Sequence, residues 1–241
     1  MLSPNELILD FISLIFILTS IILAIIIGIK SYKLYKKNKL NATKIFIWTS
    51  FSLAVAMILL TIEQLFLAVL GEEFNQLGLL FGGIATVVSG IVVVCIDAFS
   101  FNMVFTNKYK VLSIISAVFM SIPVGFHLFD QEKSVSPAGE IIFEWNPLGM
   151  PIPITPFVMY IVIIPLLLIP VLVFFYYAIK IRDQSIYKRN RSIVLGLGIL
   201  FISLAYIFEL VGLPVIVVFF RSFFVIGGTL IYYAMFKMKR E

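Results

Sequence analysis

PVIVVFFRSFFVIGGTLIYYAMF, residues 214–236, is apolar from end to end except for one arginine, Arg221. About 20 mostly apolar residues, rising about 1.5 Å each, carry a helix across the hydrocarbon of a bilayer. Six more such runs precede this one, at roughly 7–29, 45–70, 77–105, 111–129, 155–179 and 192–211. Of the 241 residues 61% are hydrophobic and 13% charged, whereas a soluble domain carries about 45–50% and about 25%. A soluble core could not hide that much apolar surface, so lipid is the solvent for most of it. An open sheet cannot satisfy its backbone there, which leaves helices. The expected fold is an all-α integral membrane domain, a single seven-transmembrane helix bundle over residues 1–241.

The charges sort along the chain. Lys30, Lys33, Lys36, Lys37, Lys39 and Lys44 lie between runs one and two, and Lys108 and Lys110 between three and four. Lys180, Arg182, Lys188, Arg189 and Arg191 lie between five and six, and Lys237, Lys239 and Arg240 follow run seven. Glu72, Glu73, Asp130, Glu132, Glu140 and Glu144 occupy the other connections, with Lys133 as their one cation. By the positive-inside rule the N-terminus is outside and the C-terminus inside, as an odd number of spans requires. The predicted location is the cell membrane, multi-pass. The pI near 9.2 then reflects topology, with anionic lipid headgroups as partners at the inner face. Nucleic acid is not an expected partner, because no basic patch interleaved with aromatics stands outside these loops. The leading MLSPNELILD is acidic and its apolar run is long, so run one reads as a span and not as a cleaved signal peptide.

The longest connection is the outer loop, 129–156. Pro137, Pro147, Pro151, Pro153 and Pro156 forbid a helix through it. Residues 140–145 are expected to form a short strand or hairpin. The loop is either a plain connection or a lid over an outward pocket.

Arg221 lies seven residues past Pro214, so roughly 10 Å below the outer surface. An arginine at hydrocarbon depth costs about 2.5–3.5 kcal/mol on insertion scales and needs a partner. Its helix face includes Pro214, Gly228 and Tyr232. Glu63, seven residues before the end of run two, sits at matching depth and is the first expected partner. Glu209, on the span that a short turn holds against run seven, is the second. Asp10, Gln64 and His127 also lie in the outer parts of their runs. Arg221, Glu63, Glu209, Gln64 and His127 are therefore the candidate ligand-binding or ion-pair residues, and a structural clamp between helices two and seven is the alternative. Asp97 lies deep in run three, on a face with Gly83, Thr86, Gly90 and Ser100. It reads as a proton or cation site, as a switch towards an inner-loop lysine, or as a carboxyl bonded to a neighbouring helix. Pro165 and Pro170 sit in the middle of run five and can kink it.

Other chemistries lack their residues. One cysteine and one histidine make no disulfide within the chain and fall short of a zinc or haem set. Run seven has no lysine before Lys237 for a retinal Schiff base. No G-x-S-x-G motif accompanies His127, and the Pro-Gln motifs of seven-helix sugar transporters are absent. No catalytic residue, metal or cofactor is expected, and the chain reads as a non-enzyme. YKKNK (35–39) and YKRNR (187–191), with glycine pairs at 82–83 and 227–228, suggest a three-plus-one-plus-three parallel repeat of the kind some transporters use.

An outside N-terminus, short loops and an arginine in the outer half of the last helix (RSFFVIGGTLIYYAMF) resemble the seven-helix sensor regions ahead of bacterial and archaeal signalling domains such as histidine kinases. The resemblance implies a receptor or sensor with an outward-facing pocket for a small ligand. It departs in having no output domain before Glu241, so signalling through a cytoplasmic or membrane protein partner is expected. A small-solute or proton-coupled transporter, and an accessory subunit of a larger complex, are the alternatives.

Overall fold

A computed structural model describes residues 4–68, 74–129, 131–135, 141–145, 159–211 and 214–238. Its helices are α1 (Pro4–Asn38), α2 (Asn41–Ala68), α3 (Asn75–Val104), α4 (Tyr109–Phe129), α5 (Ile164–Lys180), α6 (Ile186–Val211) and α7 (Pro214–Tyr232). A π-helical turn, Met159–Ile163, leads into α5, and another, Tyr233–Lys237, extends α7. Strands β1 (Gln131–Val135) and β2 (Ile141–Trp145) pair antiparallel, with Gln131 opposite Trp145. Six helices are long and apolar enough to cross a membrane, and the described apolar stretch of α4, Tyr109–Gly125, is shorter. The chain is thus an all-α, multi-pass membrane-type bundle with one short hairpin. The rest of the 129–156 connection, with its prolines, lies outside the described residues.

Several helices outrun their apolar stretches. α1 continues through Lys30, Lys33, Lys36 and Lys37, because lysine is a good helix former whose stem lies along apolar surface while its ammonium reaches water. The helix closes where Lys39 adopts φ 49°, the left-handed region, and Asn38 Oδ1 accepts the Leu40 amide at 3.1 Å. α6 begins at Ile186, ahead of its apolar run, because Ser185 Oγ accepts the Lys188 amide at 3.3 Å as an N-cap. Pro165 stands where the π turn Met159–Ile163 passes into α5, a change of hydrogen-bond register that accommodates its missing N–H. Pro170 lies within the helix and deprives the Leu166 carbonyl of its amide. Next to it, the Leu167 carbonyl accepts Ser203 Oγ of α6 at 2.9 Å, tying the two helices together.

Helix contacts run α1–α2, α2–α3, α3–α5, α5–α6, α6–α7 and α7–α1, a closed ring. α4 packs on α3 and on the π turn ahead of α5. Within the ring, Phe99 joins three helices, with ring centroids 4.8 Å from Phe46 and 5.8 Å from Phe174. α6 and α7 meet at glycines: a methyl at Gly227 would stand 2.5 Å from the Gly198 carbonyl oxygen, and one at Gly198 2.9 Å from that of Gly227. Lipid offers no hydrophobic drive for helices to associate, so close backbone packing of this kind supplies the attraction instead. Outward-facing side chains are large and apolar, among them Phe11, Leu18, Val118, Phe119, Leu172 and Ile179. Such a surface suits acyl chains and not water.

Candidate functional site

Arg221 donates through Nη1 to Ser13 Oγ of α1, and Ser13 is 3% exposed. The guanidinium is partly buried. Two further residues on the same α7 face also meet α1. A methyl at Gly228 would stand 2.7 Å from Leu23 Cδ2, and Tyr232 accepts a hydrogen bond from Lys30 Nζ, whose ammonium lies 4.5 Å from the Tyr232 ring centroid. The face expected from spacing is therefore a helix contact, and its partner is α1. The lining of α1 is a stripe of small residues, with Ser13, Ser20, Ala24 and Ser31 all buried.

Glu63 is 7% exposed, inside the bundle. Its carboxylate fills the space where a side chain at Gly82 of α3 would begin, with Oε2 2.8 Å from that position. Glycine at 82 is thus what admits the carboxylate between α2 and α3. Both Glu63 and Arg221 make further interactions. Gln64 is exposed, one residue on from Glu63 and so about 100° around the helix, and it does not join them. His127 and Glu209 lie in α4 and α6, with side chains outside the described residues.

On the lysine-rich side of this level lies a cavity of about 40 Å³, bordered by residues of α1, α2, α3, α6 and α7. Phe224, less than a turn beyond Arg221, and Met57, under two turns from Glu63, are among its walls. Its polar lining is three hydroxyls, Ser20, Thr49 and Ser50, each donating to a carbonyl four residues back, at 2.8, 3.1 and 2.9 Å. The cavity is accordingly apolar in character, while the level above it carries charge.

Asp97 is 0% exposed. Ser116 Oγ of α4 donates to its Oδ2, and its Oδ1 has no hydrogen-bond partner among the described residues. The stripe on which it lies faces α4: methyls at Gly83 and Gly90 would stand 3.5 Å from Leu128 and 3.0 Å from Val124. Asp97 is bonded to a neighbouring helix, one of the roles its position suggested. Among the described residues no three His, Cys, Asp or Glu side chains gather as a metal set.

Ser13 and Ser116 escaped the sequence reading, and Gly82 entered it only as half of a repeated glycine pair. Ser13 was detectable as the start of the buried stripe Ser13, Ser20, Ala24, Ile27, Ser31, which recurs at three-, four- and seven-residue intervals. No sequence signal pairs Gly82 with Glu63 or Ser116 with Asp97. No protein-family model, curated protein or solved structure matches this chain.

Proposed function

We propose that this chain is a receptor- or sensor-like, non-enzymatic protein of the cell membrane, with seven spans, the N-terminus outside and the C-terminus inside. It takes a small ligand at the level of Arg221 and Glu63, in the half of the bundle nearer the N-terminus. The reading rests on one observation: an arginine and a carboxylate at matching depth both turn into the bundle, just above an apolar cavity. Ionisable groups at membrane depth are expensive, and their retention there invites a functional reading. A polar layer over an apolar recess suits a ligand with a polar head and a short apolar portion. Arg221, fixed by Ser13, would orient an anionic or hydrogen-bond-accepting head. Glu63 would take a donor, and Glu209 and the 129–156 connection would close the mouth. The lysine-rich end would face anionic headgroups and a partner that carries the signal.

A ligand at a hundred times its Kd stabilises a protein by about 2.7 kcal/mol. A panel of small polar and amphipathic molecules is expected to include one that raises the melting temperature of the wild type and leaves Arg221→Ala unmoved. A panel that shifts neither protein would end the receptor reading.

The alternative of a small-solute or proton-coupled transporter is favoured by a different observation. Exchanging α1–α2–α3 with α5–α6–α7 maps the ring of contacts onto itself, and Gly82 and Gly227 each face the preceding helix, α2 and α6. That correspondence supports a three-plus-one-plus-three repeat.

A further inference from the structure

α4 packs on α3 and on the π turn ahead of α5, and Asp97 makes a polar bond across the α3–α4 contact. Asp97 is wholly buried, Ser116 holds one carboxyl oxygen, and the other has no hydrogen-bond partner among the described residues. Ser100 does not serve that oxygen, because its hydroxyl donates to the Asp97 backbone carbonyl at 2.8 Å. The titratable and charged groups on the surrounding elements are Cys95 of α3, Lys108 in the turn to α4, and Tyr109, Lys110 and His127 of α4. To these α5 adds Tyr176, Tyr177 and Lys180, and α2 adds Lys44 and Glu63. None of them is a described partner of Asp97. A carboxyl in such a place either carries a proton or has its charge met by a cation. The described groups supply no such cation, so the neutralising proton or ion is drawn from solution.

We propose that Asp97 binds one monovalent cation through Oδ1 at the α3–α4 contact, with the Ser116 hydroxyl orienting the carboxyl towards it. A proton, bonded to the oxygen, and a sodium ion, coordinated by it, would each neutralise the carboxylate, and the two are told apart by the test. Occupancy neutralises the buried charge and keeps α4 seated, and an empty site loosens it. The site is distinct from the Arg221 level: Asp97 lies fifteen residues along α3 from Gly82, roughly 22 Å away.

The test uses the full chain in lipid nanodiscs, melted from mildly acid to mildly alkaline pH in sodium chloride or in choline chloride at equal ionic strength. If sodium is the cation, the wild-type melting temperature rises by several degrees with sodium. If the proton is the cation, it rises with acid in either salt. Asp97→Asn, uncharged and of the same shape, loses that response. Should Asp97→Asn fail to fold, Ser116→Ala keeps the carboxyl but removes a donor that favours its charged form. A proton midpoint is then expected to move several-fold towards lower proton concentration, and a sodium midpoint several-fold towards higher sodium, because the carboxyl is no longer held towards the ion. A wild type indifferent to both cations, wild-type and Asp97→Asn curves that coincide, or an unmoved Ser116→Ala midpoint each overturn the proposal.

Discussion

Gly82→Val is expected to destabilise the protein by about 3 kcal/mol, the upper end of what overpacking a filled interior costs. The Glu63 carboxylate stands where the new side chain would begin, and α2 and α3 share an extensive contact that cannot part locally. The carboxylate would have to leave its seat and lose its surroundings, or the helices would have to separate. Unfolding in mixed micelles measures the loss. The cause is checked by the double variant Gly82→Val/Glu63→Ala, which should recover about 1–3 kcal/mol relative to the sum of the single effects. Additive effects would mean that the clash lies elsewhere. Gly125→Ala is the control, since a methyl there meets nothing within 4 Å.

Phe99→Ala is expected to cost about 3 kcal/mol, at the low end of the range for deleting a buried ring. Phe99 is 2% exposed, bridges Phe46 and Phe174, and forms part of the cavity wall. Truncation would enlarge a space that already exists, and its neighbours come from three helices that cannot all close in. Part of the soluble-protein penalty is missing here, because lipid is as apolar as the interior and only the lost packing counts. Phe119→Ala, on the lipid-facing side of α4 and 51% exposed, should stay within about 0.5 kcal/mol of the wild type. Equal losses at the two positions would contradict the assignment of inside and outside.

The helices were legible because lipid forces a simple rule on the sequence, and runs such as 214–236 obey it. Their ends were less so. The solvent that ends an apolar run does not end a helix, and α1 goes on through its lysines until Lys39 turns the backbone. The expected strand near residues 140–145 is there as β2, paired with a segment that carried no strand signal of its own. At the candidate site, counting residues set an expected depth for Glu63 and Arg221, and a face for Arg221, but not the neighbour that each side chain meets. Gln64 shares the depth of Glu63 and faces away. Direction is set by which neighbour leaves room, as Gly82 does for Glu63, and by which donor or acceptor lies opposite, as Ser13 does for Arg221. Those are properties of pairs of helices, and hydropathy along one helix does not contain them.

Native mass spectrometry of the gently extracted full chain addresses the claim that Arg221 and Glu63 form a ligand site inside the bundle. The wild type should carry a small polar or amphipathic molecule, or take one up from the panel, and both Arg221→Ala and Glu63→Gln should lose it while remaining folded. Variants that retain the same adduct as fully as the wild type would contradict the account.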